Sequence, residues 1–99
     1  MNRFLEIHPG ATNEATEVVQ YYESCEPGLG GRFRTCLSEA YEEILRHPQH
    51  CRKRSGGFRR FNLPDFPYYI AFYVLKDRIF VSAVAHASRH PDYWKRRLK

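Results

Sequence analysis

The sequence predicts an α+β fold in which a helical hairpin packs on one face of a small, mostly antiparallel sheet. The predicted element order is β-α-α-β-β-β with a short C-terminal helix. Three observations point there. Two apolar stripes at helical spacing occupy the first half of the chain, separated by a turn built from Pro27 and three glycines. After Cys51 the apolar period shortens to two. With 99 residues there is room for a single domain, residues 1–99, around a modest core.

Each element follows from its residues. "FLEIHP" (Phe4–Pro9) alternates like a strand, with Phe4, Glu6 and His8 on one side and Leu5 and Ile7 on the other. After Pro9-Gly10, Ala11, Ala15, Val18, Val19 and Tyr22 recur at helical spacing, and the helix ends near Cys25. "EPGLGG" supplies the turn that joins antiparallel helices. Phe33, Cys36, Leu37, Ala40, Tyr41, Ile44 and Leu45 then form the clearest helical stripe, which Pro48 stops after His47.

The basic loop "CRKRSGGFRR" opens the second half, and "FRRFNL" puts Arg59, Phe61 and Leu63 on one strand face. "PDFP" turns the chain. "YYIAFYVL" (Tyr68–Leu75) is apolar on both faces, as a central strand is. Lys76–Arg78 makes a tight hairpin, Ile79–His86 the last strand, and about Asp92 to Leu98 a final helix. With both long helices on one side, the other side of the sheet is expected to stay partly open to a partner.

Charge is divided along the chain. Residues 1–51 hold four Arg and eight Glu, a balance of −4, and residues 52–99 hold twelve Lys/Arg and three Asp, a balance of +9. A cationic second half suits an anionic partner: nucleic acid, an acidic protein segment or a membrane surface. A basic face that merely aids solubility is the plainer alternative.

Cys25, Cys36 and Cys51 are odd in number and widely spaced, so they read as reduced thiols and not as a disulfide framework or metal knuckle. The amino terminus has no apolar signal core, and no apolar run approaches the roughly 20 residues that cross a bilayer. A cytoplasmic protein without membrane contact is expected. No cofactor is called for.

The richest stretch is "HASRHPDYW", His86–Trp94. His86 is either an acid or base titrating near neutrality or a hydrogen-bonded strand end that fixes the exit of the tail. Arg89 either pins a phosphate or carboxylate or bonds a carbonyl of its own chain. Tyr93, Trp94 and "KRRLK" either meet a partner or dock Trp94 and Leu98, four apart, on the core with Lys95, Arg96 and Lys99 solvated. His86 and His90 have the separation of a helical metal pair, but Pro91 turns His90 from helical geometry and no third ligand is near in sequence, so no metal site is expected. On the second strand, Arg59 beside Phe61 and Leu63 needs a partner, structural or functional. "RKR" at Arg52–Arg54 is a charged loop open to either reading.

In the order and spacing of these pieces the chain resembles the RelE/ParE superfamily, toxins of bacterial type II toxin–antitoxin pairs, some first described as plasmid stabilisation proteins. The resemblance spans nearly the whole chain. It is carried by the helix pair with its Gly-containing connection, His47-Pro48, "GFRRF" (Gly57–Phe61), "PYYIAFYV" (Pro67–Val74) and "HASRHP" (His86–Pro91).

The resemblance implies growth inhibition and neutralisation by a cognate antitoxin with an acidic interacting segment. It leaves two activities open. RelE-like members cleave messenger RNA on the ribosome with converging basic side chains, and here Arg60, Arg89, Tyr93 and His86, with Lys53 from the loop, would supply them. Tyr69, however, stands where those nucleases carry an arginine on the third strand. ParE-like members poison DNA gyrase, and Arg59, the tyrosine-rich third strand and the His86/Arg89/Pro91 exit are similar to that pattern. ParE-like inhibition of gyrase is therefore expected, with Arg59, Arg60, His86, Arg89, Tyr93 and Trp94 as target or antitoxin contacts. A non-toxic interaction module or decayed toxin is the remaining alternative.

Overall fold

The computed structural model describes residues 3–98. Its elements are β1 (Phe4–Ile7), α1 (Pro9–Cys25), α2 (Leu29–Arg46), β2 (Arg59–Asn62), β3 (Tyr68–Val74), β4 (Arg78–His86) and α3 (Asp92–Lys95), with a 3₁₀ turn at Pro48–His50. The sheet order is β1-β4-β3-β2. Strands β2, β3 and β4 form an antiparallel meander, and β1 joins the outer side of β4 in parallel. The expected α+β architecture is the one observed.

Local chemistry sets the helices. Pro9 occupies the first turn of α1, where its missing N–H costs nothing, and the His8 ring accepts from Gly10 N–H at 2.9 Å. The turn to α2 is shorter than the glycines suggest, because α2 already starts at Leu29. Gly28 makes this possible with φ of 90°, a left-handed conformation that other residues resist. Glu23 of α1 caps the new helix by accepting from both Gly28 and Gly30 N–H at 3.0 Å. The α2 helix ends at Arg46, just before Pro48, as expected.

The main core lies between the hairpin and the sheet. Ala11, Val18, Phe33, Leu37, Ala40 and Ile44 from the helices meet Leu63, Ile70, Phe72, Ile79, Val81 and Val84. A bulge in β4 keeps both sheet faces apolar: Ala71 pairs with Ala83 and Phe72 with Val81, so Ser82 is the extra residue.

The second face departs from expectation. Instead of staying open, it carries its own core of Phe58, Tyr69, Ala71, Tyr73, Phe80, Ala83, Ala85 and Trp94, flanked by Tyr93 and Leu98. The small residues Ala71, Ala83 and Ala85 leave space over the sheet, and the fully buried Trp94 side chain joins them there. The final helix is one turn, not the expected run to Leu98. After Lys95 the chain folds back, with Arg97 donating to Ser82 O at 2.8 Å and to Glu14 of α1 at 2.9 Å. Lys99 lies outside the described residues.

Candidate functional site

Strand β4 delivers His86 to the rim of the sheet, where the chain turns sharply. Arg89 N–H donates to His86 O at 2.9 Å and Ser88 N–H donates to His86 Nδ1 at 3.1 Å. A donor on Nδ1 leaves the ring proton of neutral His86 on Nε2. The ring stands edge-on to Tyr68, with centroids 5.1 Å apart. His86 is thus a hydrogen-bonded strand end that sets the path of the tail.

The turn brings Arg89 over the face of Tyr93, 4.1 Å from its centroid, and Arg97 lies 5.3 Å from the same ring. His86, Arg89 and Tyr93 therefore meet in one pocket of about 180 Å³, which Glu14 and Glu17 of α1 close from the other side. Arg89 is exposed and forms no ion pair among the described residues, so its fork is available.

Neither carboxylate, Glu14 nor Glu17, is among the candidates that the sequence offers. Glu14 is a hub. One oxygen accepts from Val84 N–H at 3.0 Å and the other from Arg97 at 2.9 Å, and this tethers α1, β4 and the tail. Burial and the Glu14 carboxylate both push the Tyr93 phenol well above its usual range, so it keeps its proton at neutral pH. The only advance signal was that Glu14 and Glu17, three apart, share one stripe of α1.

The other candidates lie elsewhere. Arg59 pairs with Phe72 in register, so it faces the helices, where it donates to Cys51 O at 2.6 Å. Its partner is structural. Arg60, the next residue, projects to the opposite face, stacks 4.0 Å over Tyr69 and donates to Asn62. Lys53 bridges to Arg59 along the outer edge of β2. Trp94 has no exposed surface, and its indole N–H donates to Tyr69 Oη. As a surface contact Trp94 is therefore corrected: it anchors the tail. The guanidinium groups of Arg59 and Arg60 are divided between the two sides of the sheet.

An apolar cleft of about 200 Å³ runs beside the helical hairpin, lined by Ile7, Ala15, Val19, Leu37 and Tyr41 among others. Among the described residues no group of three His, Cys, Asp or Glu side chains is placed to hold a metal ion. None of the described helices is long and apolar enough to cross a membrane.

Known proteins place this architecture. In fold the chain is similar to a solved structure described as the chromosomal ParDE TA system from P. aeruginosa, with a TM-score of 0.77, 14% identity, and 87% of this chain and 96% of that chain covered. No curated protein matches it at a significant level. Residues 5–91 match the family model for the ParE toxin of the type II toxin–antitoxin system parDE. That match takes in both helices of the hairpin, all of the sheet except Phe4, and the His86–Pro91 turn, and the chain accordingly belongs to the ParE toxin family.

Proposed function

We propose that this protein is a toxin that acts by binding DNA gyrase, without cutting RNA, and that a cognate antitoxin with an acidic interacting segment neutralises it in the cytoplasm. The observation that carries this reading is Tyr69. At the third-strand position where ribosome-dependent nucleases are expected to hold an arginine, this chain has a tyrosine that is 1% exposed and bonded to Trp94. A phosphate clamp has no place there.

Three further observations support the same reading. Arg60 and His86 lie on opposite faces of the sheet, so the groups that cleavage would require do not converge. Tyr93 holds its proton too firmly to act as a base near neutrality. Glu14 and Glu17 line the pocket that contains Arg89, and their charge repels a phosphate. An exposed guanidinium beside carboxylates suits a protein partner that offers both signs of charge. Arg89 is the residue assigned to that contact.

Expression in the absence of antitoxin tests the reading. Growth arrest accompanied by an SOS response, with messenger RNA intact by primer extension, is the expected result. Ribosome-dependent cuts that disappear in Arg89→Ala would replace it with the nuclease reading. Normal growth with tight antitoxin binding would identify a decayed toxin.

A further inference from the structure

The cations of the second half fall into two groups. Arg78 pairs with Glu6 and Asp77, and Arg97 pairs with Glu14. Arg52, Lys53, Arg54, Arg59, Arg60, Lys76, Arg89, Lys95 and Arg96 take part in no ion pair among the described residues.

These cations are not scattered at random, because Arg60 and Lys95 are tied to one aromatic cluster by their side chains and the basic loop is tied to it by its backbone. Arg60 lies over Tyr69, whose hydroxyl accepts from Trp94 at 3.1 Å. Trp94 meets Phe58 edge-on at 4.8 Å, and Lys95 Nζ sits 5.6 Å from the Phe58 centroid. The basic loop reaches the same place, with Arg54 N–H donating to Phe58 O at 2.8 Å and Lys53 bridging to Arg59. Phe58, Tyr69 and Trp94 are all buried. The rings thus support Arg60 and Lys95 from beneath and present no open face of their own, while Arg54 is held beside them through its backbone.

From this arrangement we infer that the surface around Arg54, Arg60 and Lys95 binds the phosphate backbone of double-stranded DNA directly and without reading its sequence. No carboxylate of the described residues forms an ion pair with these three cations. Contact with a ring pre-orients a guanidinium or ammonium group, which lowers the cost of ordering it on a ligand. Proteins that favour single strands stack bases on exposed aromatic faces, and here those faces are covered. What remains is recognition of charge, and a duplex offers about one phosphate per 1.7 Å of axis, a density that an extended acidic peptide, rising about 3.3 Å per residue, does not reach. The inference is independent of gyrase as the target.

The test is fluorescence anisotropy of the purified full-length chain with a labelled duplex of arbitrary sequence, in the absence of gyrase. With three phosphate contacts, affinity should fall about 40-fold between 50 and 200 mM salt. Arg54→Gln, Arg60→Gln and Lys95→Gln should each weaken binding and lower the logarithmic salt slope by about 1. Arg46→Gln, on the helical layer, should leave the slope unchanged. A melting curve for each variant separates loss of binding from loss of fold, and Lys95→Gln, at an exposed position, keeps the test valid where Arg60→Gln unfolds. Absence of duplex binding at 50 mM salt, a slope that the three variants do not alter, or tighter binding to the single strand would overturn the inference. Displacement by polyglutamate at equal charge concentration would reassign the surface to an acidic protein. Inhibition of gyrase without duplex binding would refute this inference alone, and duplex binding without any effect on gyrase would refute only the proposed function.

Discussion

The indole N–H of Trp94 donates to the hydroxyl of Tyr69 at 3.1 Å across the second face of the sheet, with both side chains buried. The bond joins the tail to the central strand and closes a surface that the two long helices do not reach. Trp94→Ala should destabilise the protein by about 3–5 kcal/mol, because it removes a large buried side chain and leaves a cavity between Phe58 and the alanines of the sheet. Urea unfolding measures this. Trp94 is the only tryptophan in the chain, so its blue-shifted emission should move to the red as the tail undocks.

Glu14→Gln should loosen the same tail from the other side. The change leaves Arg97 without its ionic partner at a site where both side chains are about one-fifth exposed, and a loss of about 2 kcal/mol is expected. A double-mutant cycle with Arg97→Met should return a coupling energy of about 1 kcal/mol or more, since the two groups are in contact.

The hairpin gives a paired prediction. A Cβ on Gly30 would stand 2.5 Å from Val19 O, a backbone atom that cannot yield, whereas one on Gly31 would meet nothing within 4 Å. Gly30→Ala should cost about 1–3 kcal/mol by forcing the helices apart. Gly31→Ala, inside α2, should be neutral or stabilising by about 0.5–1 kcal/mol. Thermal unfolding of the two variants compares them directly.

Burial pushes the Tyr41 phenol up to about 12 from its usual 10. Below pH 10 it is protonated in both folded and unfolded chains and has no effect on the slope. Between pH 10 and 12 the unfolded chain releases this proton while the folded chain retains it, so stability falls as pH rises. Urea midpoints taken between pH 9 and 11.5 should decline, and Tyr41→Phe should flatten the decline in part, since Tyr93, Tyr22, Tyr68 and Tyr73 are shifted in the same direction.

The three thiols should separate by reactivity. Cys25 is exposed, whereas Cys36 and Cys51 are half-buried and desolvation raises the pKa of both. Titration with an aromatic disulfide at neutral pH should show one fast thiol and two that are slower by about tenfold or more. Cys25→Ser should abolish the fast phase.

Much of the fold was legible because its signals are local. The stripe from Phe33 to Leu45, the stop at Pro48 and the change to a period of two at Phe58 each depend on neighbours within one or two turns of chain. Those residues gave the helices and the meander. What the sequence hid was non-local. That β1 would pair in parallel with β4 has no signature within Phe4–Ile7, and the folding back of the tail depends on Glu14, 83 positions away from Arg97.

The site divides in the same way. His86, Arg89 and Tyr93 are close in sequence, and one turn brings them together. Arg59 and Arg60 seemed interchangeable as contacts, yet strand alternation sends one to Cys51 O beneath the helices and the other to Tyr69. Trp94 looked as suitable for a surface strip as for a core, and it was Ala71, Ala83 and Ala85, on two other strands, that decided it.

The central claim, a toxin that binds gyrase and cuts nothing, is tested most directly by a supercoiling reaction containing purified gyrase, relaxed plasmid and the full-length chain. Supercoiling should be inhibited in proportion to toxin, restored by the antitoxin, and weakly inhibited by Arg89→Ala. Normal supercoiling at saturating toxin, together with cleavage of messenger RNA on added ribosomes, would contradict it.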